Sequence, residues 1–225
     1  KLWFPGVTLC VGMGFEYADK NKILVTTHDF EKDIIDCTQN ISKRYKGSKK
    51  RGETLEKIAL TIFDSVKKIH GLKKRERLLL RLAALLHDCG KYITMTNVGE
   101  ASYEIVMSTE IIGLSHAERE IVANVVRYNY RDFSHYDSDW TGIPDRQTYL
   151  TVAKLTAILR VAVGLDRSHK EKFRDITASL RDRELLLTVN TSSDITLEKG
   201  LFSTRAVFFE EIFNVTPVIK RKRGV

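Results

Sequence analysis

The chain has 225 residues, 43% of them hydrophobic and 29% charged, an ordinary globular balance that excludes a disordered tail. A net charge of +8, from 37 Lys and Arg against 29 Asp and Glu, favours polyanionic partners, with a solvated basic surface as the bland alternative. The longest apolar run, LLLRLAALL, is broken by Arg81 and too short to span a bilayer, and Cys10, Cys37 and Cys89, with no CxxC, read as reduced thiols of a cytoplasmic protein.

The opening KLWFPGVTLCVGMGF begins at Lys and carries apolar residues that want burial, so it reads as part of a longer chain. Pro5, Gly6, Gly12 and Gly14 interrupt it, and no small-residue cleavage site follows, which argues against a signal peptide. PGVTL reads as a short strand, Gly12 and Gly14 as a turn, and FEYADKNK as a short amphipathic helix.

From Asp29 to Tyr45 the apolar residues Phe30, Ile34, Ile35, Cys37 and Ile41 recur at helical spacing. KRYKGSKKRG follows, with Gly47, Ser48 and Gly52 as breakers. TLEKIALTIFDSVKKIH carries a stripe of Leu55, Ile58, Ala59, Ile62, Phe63 and Val66, and Gly71 stops that helix. The next helix, from Lys74 to Asp88, is basic at its start and apolar on nearly every face afterwards, as befits the centre of an all-α core.

A polar loop through Thr94, Asn97 and Gly99 leads to a short helix over ASYEIVMST. Ser115 and Glu118 form a capping box at the start of the next helix, which runs to Tyr128. YNYRDFSHYDSDWTGIPD reads as a long polar and aromatic loop. RQTYLTVAKLTAILRVAVGL is the last long helix. After DRSHKEKF the texture changes: RDITASL and ELLLTVN pair as a hairpin, LFSTRAVFFEEIF is helical and TPVIKR is a strand. The expected fold is mainly α, a helical bundle over residues 31–165, followed by a small α/β cap over 166–225.

Two constellations could carry chemistry. The first is His87-Asp88, where the Leu-rich helix ends. Adjacent helical residues project about 100° apart, so both reach one ion only if the backbone opens, and Gly90 allows that. A metal centre would also need ligands from other helices. The bland reading makes His87 a satisfied core histidine and Asp88 a hydrogen-bond acceptor. His28, His70, His116, His135 and His169 fall in loops or at helix starts and read as solvent-exposed. Cys89 reads as a buried, unreactive thiol.

The second constellation is basic: Lys43, Arg44, Lys46, Lys49, Lys50 and Arg51 lie within nine residues. KKIHGLKKRER and the terminal KRKRG add further charge. Such a cluster suits a linear polyanion read by point charges. Nucleic acid would like the same patch, but no aromatic RNA-reading signature accompanies it. Walker-type, GxSxG and HExxH motifs are absent from the sequence.

LWFPGVTL, RLAALLHDCGKYI, IIGLSHAEREIVANVVRY and ILRVAVGLDRSHKEKF, in this order and spacing, resemble the C-terminal part of the exopolyphosphatase / guanosine pentaphosphate phosphohydrolase family. The resemblance implies that residues 1–30 are the tail of a missing actin-like domain and that an HD-like helical domain follows. It implies a parent enzyme hydrolysing terminal phosphoanhydrides of polyphosphate or guanosine pentaphosphate with Mg²⁺. The fragment itself would carry no cofactor, bind polyanion and assemble, with the actin-like domains or a second copy as partner and no membrane.

The same resemblance places Arg51 where an intact HD site would carry a histidine. Asn97, Val98, Gly99 and Ala101 replace a histidine-rich stretch, Asn129 replaces a histidine, and the late Asp falls on Val163, although Asp166 remains nearby. His87 and Asp88 would then be the vestige of a metal site. Arg51, Arg127 and Arg160, from helices expected to line one cavity, would turn it towards anions. The alternatives are an independent HD-type metal-dependent nucleotide phosphohydrolase and a nucleic-acid-binding module.

Overall fold

The computed structural model describes residues 8–24, 29–134, 145–166, 172–173, 175–191 and 193–221, together with the single residues 6, 136, 143 and 170. Nine α-helices and three strands are placed among them, and the helices come first. The outcome is the helical bundle with a small α/β cap that the residue pattern predicts.

α1 (Leu9–Lys20) is capped by Thr8, whose hydroxyl accepts the Val11 N–H at 3.4 Å. It runs straight through Gly12 and Gly14, so the expected turn there is incorrect. The half of PGVTL that is described caps and begins this helix instead of forming a strand; Pro5 and Val7 lie outside the described residues. Two glycines weaken a helix without forbidding it when a cap fixes its start. None of the α1 side chains is buried, and Phe15 meets Phe30 edge-on, with ring centroids 6.1 Å apart.

α2 (Phe30–Arg44) buries Ile34, Ile35, Thr38, Ile41 and Ser42 along one stripe. α3 (Lys49–Ser65) starts earlier than the breakers suggest, because Ser48 is its N-cap, accepting the Arg51 N–H, and Gly52 lies inside the helix. A short α4 (Lys67–His70) ends at Gly71, which takes a left-handed conformation. α5 (Lys74–Leu86) buries eight residues and packs against α2, α3, α7 and α8 at the centre of the bundle. A single 3-10 turn, Cys89–Tyr92, follows His87 and Asp88.

The 3-10 turn lets α6 (Val98–Ser108) dock closely. A Cβ on Gly90 would sit 2.3 Å from the Val98 carbonyl oxygen, and the Gly90 N–H donates to the Ser102 hydroxyl at 2.9 Å. α7 (His116–Tyr128) begins at the Ser115/Glu118 capping box. α8 (Arg146–Leu165) is long and apolar enough to cross a membrane, but 72% of its most apolar window is buried inside the chain. Before it, Phe133 gathers Tyr128, Tyr149 and Phe208 within 5.2 Å, pinning the described part of the long loop to α7, α8 and the cap.

In the cap, β1 (Ile176–Arg181) pairs antiparallel with β2 (Glu184–Val189), from Ile176 opposite Val189 to Arg181 opposite Glu184. The two-residue turn between them has Asp182 at φ 51°. α9 (Thr196–Phe213) then crosses over, and β3 (Thr216–Arg221) lies parallel to β2, giving the order β1-β2-β3. α9 packs along α8, and one continuous apolar core joins Leu55, Leu80 and Ile158 of the bundle to Leu187, Phe202 and Phe209 of the cap.

Candidate functional site

His87 and Asp88 stand at the C-terminus of α5, where the first turn of α3 and the end of α8 meet it. The Ser48 cap fixes the first turn of α3 and points Arg51 inwards, so that it is 9% exposed although Lys49 and Lys50 before it are exposed. The Arg51 guanidinium holds two carboxylates at once: Nη1 donates to Asp88 Oδ2 at 3.1 Å and Nε donates to Asp166 Oδ2 at 3.3 Å. Asp166 is 2% exposed, and its carboxylate is therefore neutralised inside the protein. Lys91 approaches Asp88 Oδ2 at 3.5 Å from the 3-10 turn.

The two halves of the His-Asp pair differ in protonation. Burial drives the His87 pKa down to about 4, and the Arg51 charge adds to this against the attraction of Asp88, so the imidazole is neutral at pH 7. Its Nδ1–H donates to the Ala84 carbonyl at 2.9 Å, which leaves Nε2 a buried acceptor without a hydrogen bond, 3.5 Å from Asp88 Oδ2. For Asp88 burial opposes the charge, but His87, Lys91 and Arg51 outweigh it and hold the carboxyl below its usual range. Cys89 is raised to about 11, chiefly by burial, so it is a thiol and no nucleophile. Tyr130, largely buried beside Asp88 and Arg51, is also pushed up.

These residues do not fit a metal ion. The position between Asp88 and Asp166 is taken by a guanidinium that supplies the positive charge and the donors the carboxylates need. Among the described residues no three His, Cys, Asp or Glu side chains cluster as ligands.

Asp166, which the sequence shows only as an acid remaining near Val163, is the second carboxylate on Arg51. Val163, where the late acid was expected, is buried among apolar residues, and Asp166 lies three residues later at the C-cap of the same helix. That i,i+3 spacing on one face was the available signal.

The three arginines expected in one cavity have separate partners. Arg127 Nε donates to Glu100 Oε1 at 2.7 Å, and Glu100 also takes Arg131, while the Arg127 guanidinium lies 5.1 Å from the Tyr103 ring. Arg160 donates to the Tyr128 carbonyl at 2.6 and 2.9 Å and to that of Arg131, with its guanidinium 4.6 Å from the Phe208 ring. The expectation of a shared arginine cavity is corrected: carboxylates, carbonyls and aromatic faces consume all three charges.

His70 also departs from the expected exposure. It is fully buried, its Nδ1 accepts the Leu72 N–H at 2.8 Å, and its Nε2–H donates to the Phe63 carbonyl at 3.0 Å. The ring thereby satisfies backbone groups left over where α3 breaks into α4. His116 is exposed, while His28, His135 and His169 lie outside the described residues.

The other cations of the 43–51 cluster behave differently from Arg51. Lys43, Arg44, Lys46, Lys49 and Lys50 are all exposed and crowd the turn between α2 and α3. Lys49 lies 3.8 Å from Glu53. Beneath the turn lies a cavity of about 390 Å³, lined by Gln39, Ser42, Lys43, Ser48, Lys49 and Glu53 and floored by Leu85. The KKIHGLKKRER charges are partly compensated instead: Lys74 faces Glu31, Arg75 holds Glu118 and Arg77 holds Asp64. The terminal basic run is described only to Arg221, whose Nε donates to the Thr191 carbonyl.

No curated protein matches this chain. Residues 35–205, most of the bundle and the cap up to the middle of α9, match domain III of the Ppx/GppA phosphatases. The matched span contains both the Arg51–Asp88–Asp166 cluster and the basic α2–α3 turn, and with more than half its length in the match the chain belongs to the Ppx/GppA phosphatase family.

Proposed function

We propose that this region binds a phosphate polyanion for its parent enzyme and performs no hydrolysis itself. The observation that carries the reading is the exposed set Lys43, Arg44, Lys46 and Lys49 on one turn, set against Arg51, whose charge is spent internally. A chain of phosphates has no bases to read, so affinity rests on the number of point charges it meets. Within a phosphatase family the fitting ligand is polyphosphate or guanosine pentaphosphate, the compounds whose terminal phosphoanhydrides the parent would cleave.

Hydrolysis, and the Mg²⁺ it uses, fall to actin-like domains outside this chain. The exposed Leu9, Val11, Met13 and Tyr17 of α1 favour that part of the parent, or a second copy, as the neighbour. The cytoplasm is the compartment that suits three unpaired thiols. An independent HD-type phosphohydrolase is disfavoured by the guanidinium between the two carboxylates. A nucleic-acid module is the remaining competitor for the basic turn.

Polyphosphate binding measured against salt tests the reading. With Lys43, Arg44, Lys46 and Lys49 engaged, log affinity falls against log salt with a slope on the order of −3, by analogy with single-stranded polyanions. Lys43→Ala/Lys46→Ala/Lys50→Ala reduces both the affinity and the slope. A flat salt response, or duplex DNA outcompeting polyphosphate at equal phosphate concentration, overturns it.

A further inference from the structure

The fold brings the basic α2–α3 turn an aromatic neighbour that lies far from it in sequence. Tyr45, between Arg44 and Lys46, packs partly buried against the core, and Tyr92 at the end of the 3-10 turn meets it edge-on. Their ring centroids are 5.8 Å apart and their planes stand at 79°. Tyr45 alone is no stacking platform, because the core covers much of its ring. Tyr92 differs: it is 55% exposed, and the contact with Tyr45 fixes where its ring stands. Ile93 and Met95, which follow it in the chain, are exposed as well.

The charge beside this ring is uneven. Asp33, Asp36 and Glu110 line a groove with Arg44 and Tyr45, and their charge turns phosphates away from that side. A phosphate backbone is therefore drawn towards Lys43, Lys46 and Lys49, of which Lys49 is partly balanced by Glu53 at 3.8 Å. Lys46 is held at φ 57°, a left-handed conformation that glycine adopts more readily than lysine. A polyanion of bare phosphates uses these cations and leaves Tyr92 idle. A strand with unpaired bases uses both, since every base has a π-face that stacks on an aromatic ring whatever the sequence. A duplex keeps its bases stacked inside and offers Tyr92 nothing.

We propose that the α2–α3 turn binds single-stranded nucleic acid, with one base stacked on Tyr92 and the backbone phosphates on Lys43, Arg44, Lys46 and Lys49. The inference rests on the polyanion reading above for its phosphate contacts and adds a contact that polyphosphate cannot make. A free nucleotide reaches the ring but engages fewer of the four cations, so the strand is the favoured form.

The test is fluorescence anisotropy of labelled oligouridylate on the 225-residue protein. Polyphosphate, the matching duplex and uridine triphosphate compete in turn at equal phosphate concentration and fixed salt. Tyr92→Leu, which keeps an apolar side chain against Tyr45, weakens the single strand about tenfold through loss of one stacked base and leaves polyphosphate unchanged. Tyr92→Phe retains the affinity of both. Lys46→Gly removes a cation while relieving its left-handed backbone, so both ligands weaken with the thermal midpoint held or raised. If polyphosphate competes as well as the unlabelled strand and Tyr92→Leu moves neither, the stacking is wrong and the polyanion surface stands. If the strand binds and responds to Tyr92→Leu while polyphosphate does not compete, the stacking stands and the polyphosphate reading falls. A duplex or uridine triphosphate that competes as well as the strand overturns the choice of a single strand. Absence of binding by the strand and by polyphosphate overturns both.

Discussion

Removing the Arg51 guanidinium leaves Asp88 and Asp166 facing each other in a site where Asp166 is almost fully enclosed. Two carboxylates deprived of the guanidinium they share in low dielectric are expensive, so Arg51→Ala costs about 3–5 kcal/mol in urea unfolding. Arg51→Lys recovers only part of this, because one ammonium cannot reproduce two differently directed N–H donors. Arg51→Met with Asp88→Asn and Asp166→Asn is less damaging than Arg51→Ala alone; equal losses would show that packing rather than charge sets the cost. Because the guanidinium is covalently supplied, dialysis against EDTA leaves the wild-type thermal midpoint in place.

His87 gives this site a pH dependence with a definite sign. Its folded pKa of about 4 lies below the ordinary 6.5, so as pH falls the unfolded chain takes up the proton first. The stabilisation is complete above pH 6.5, is lost progressively between 6.5 and 4, and falls no further below 4. The full span is worth about 3 kcal/mol at 1.36 kcal/mol per unit. His87→Asn flattens the stability–pH curve in that window, while the part due to His70, lowered by its own burial, persists. A curve of unchanged slope in the variant would show that His87 is solvated. Glu118, drawn down to about 2 chiefly by its hydrogen bond from Arg75, contributes in a different window, losing its stabilisation as pH falls from 4.5 towards 2.

At the scale of elements, two glycines separate close approach from mere tolerance. Gly90 meets the backbone of α6, where a methyl would fall 2.3 Å from a carbonyl oxygen that moves only with its helix. Gly90→Ala therefore costs at least the 1–3 kcal/mol typical of overpacking and loosens α6. Gly52→Ala is neutral or stabilising by up to about 1 kcal/mol, since only Leu85 Cδ2 stands near and glycine is a poor helix former. Chemical denaturation of the two variants checks the contrast, and similar losses in both would refute it. The same comparison shows what could be read from the residues beforehand. The stripe from Leu55 to Val66, the Ser115/Glu118 box and the alternating ITASL and ELLLTV runs each announce a local period or cap; a helix, a capped helix and a hairpin form there, although the first begins at Lys49 and breaks after Ser65 into α4. Gly12, Gly14 and Gly52 look like breakers because a glycine's cost is local, whereas a cap at Thr8 or Ser48 decides where the helix starts. Arg127, Arg160 and His70 were misplaced for another reason: their partners Glu100, Tyr128 and Phe63 are set by tertiary packing, which leaves no local mark.

For the whole molecule, the main question is whether the α/β cap is an independent unit. Its three short strands form a sheet whose apolar face packs on the bundle. The face of β2 that buries Leu185 and Leu187 belongs to the same core as α3 and α8, and α9 lies along α8 with Phe202 and Phe209 buried. Gly164 marks the depth of that contact, since a Cβ there would sit 3.1 Å from the Arg205 side chain. Cap and bundle therefore share their apolar burial and unfold in one cooperative transition. Native-state hydrogen exchange tests this: the slowest amides of β2 and of α3 report the same opening free energy, and Phe209→Ala, by emptying a fully buried aromatic position, lowers both by about 3–5 kcal/mol. If the β2 amides alone become fast in Phe209→Ala while those of α3 keep their protection, the cap opens by itself. The basic surface on the α2–α3 turn would then be energetically separate from everything after α8.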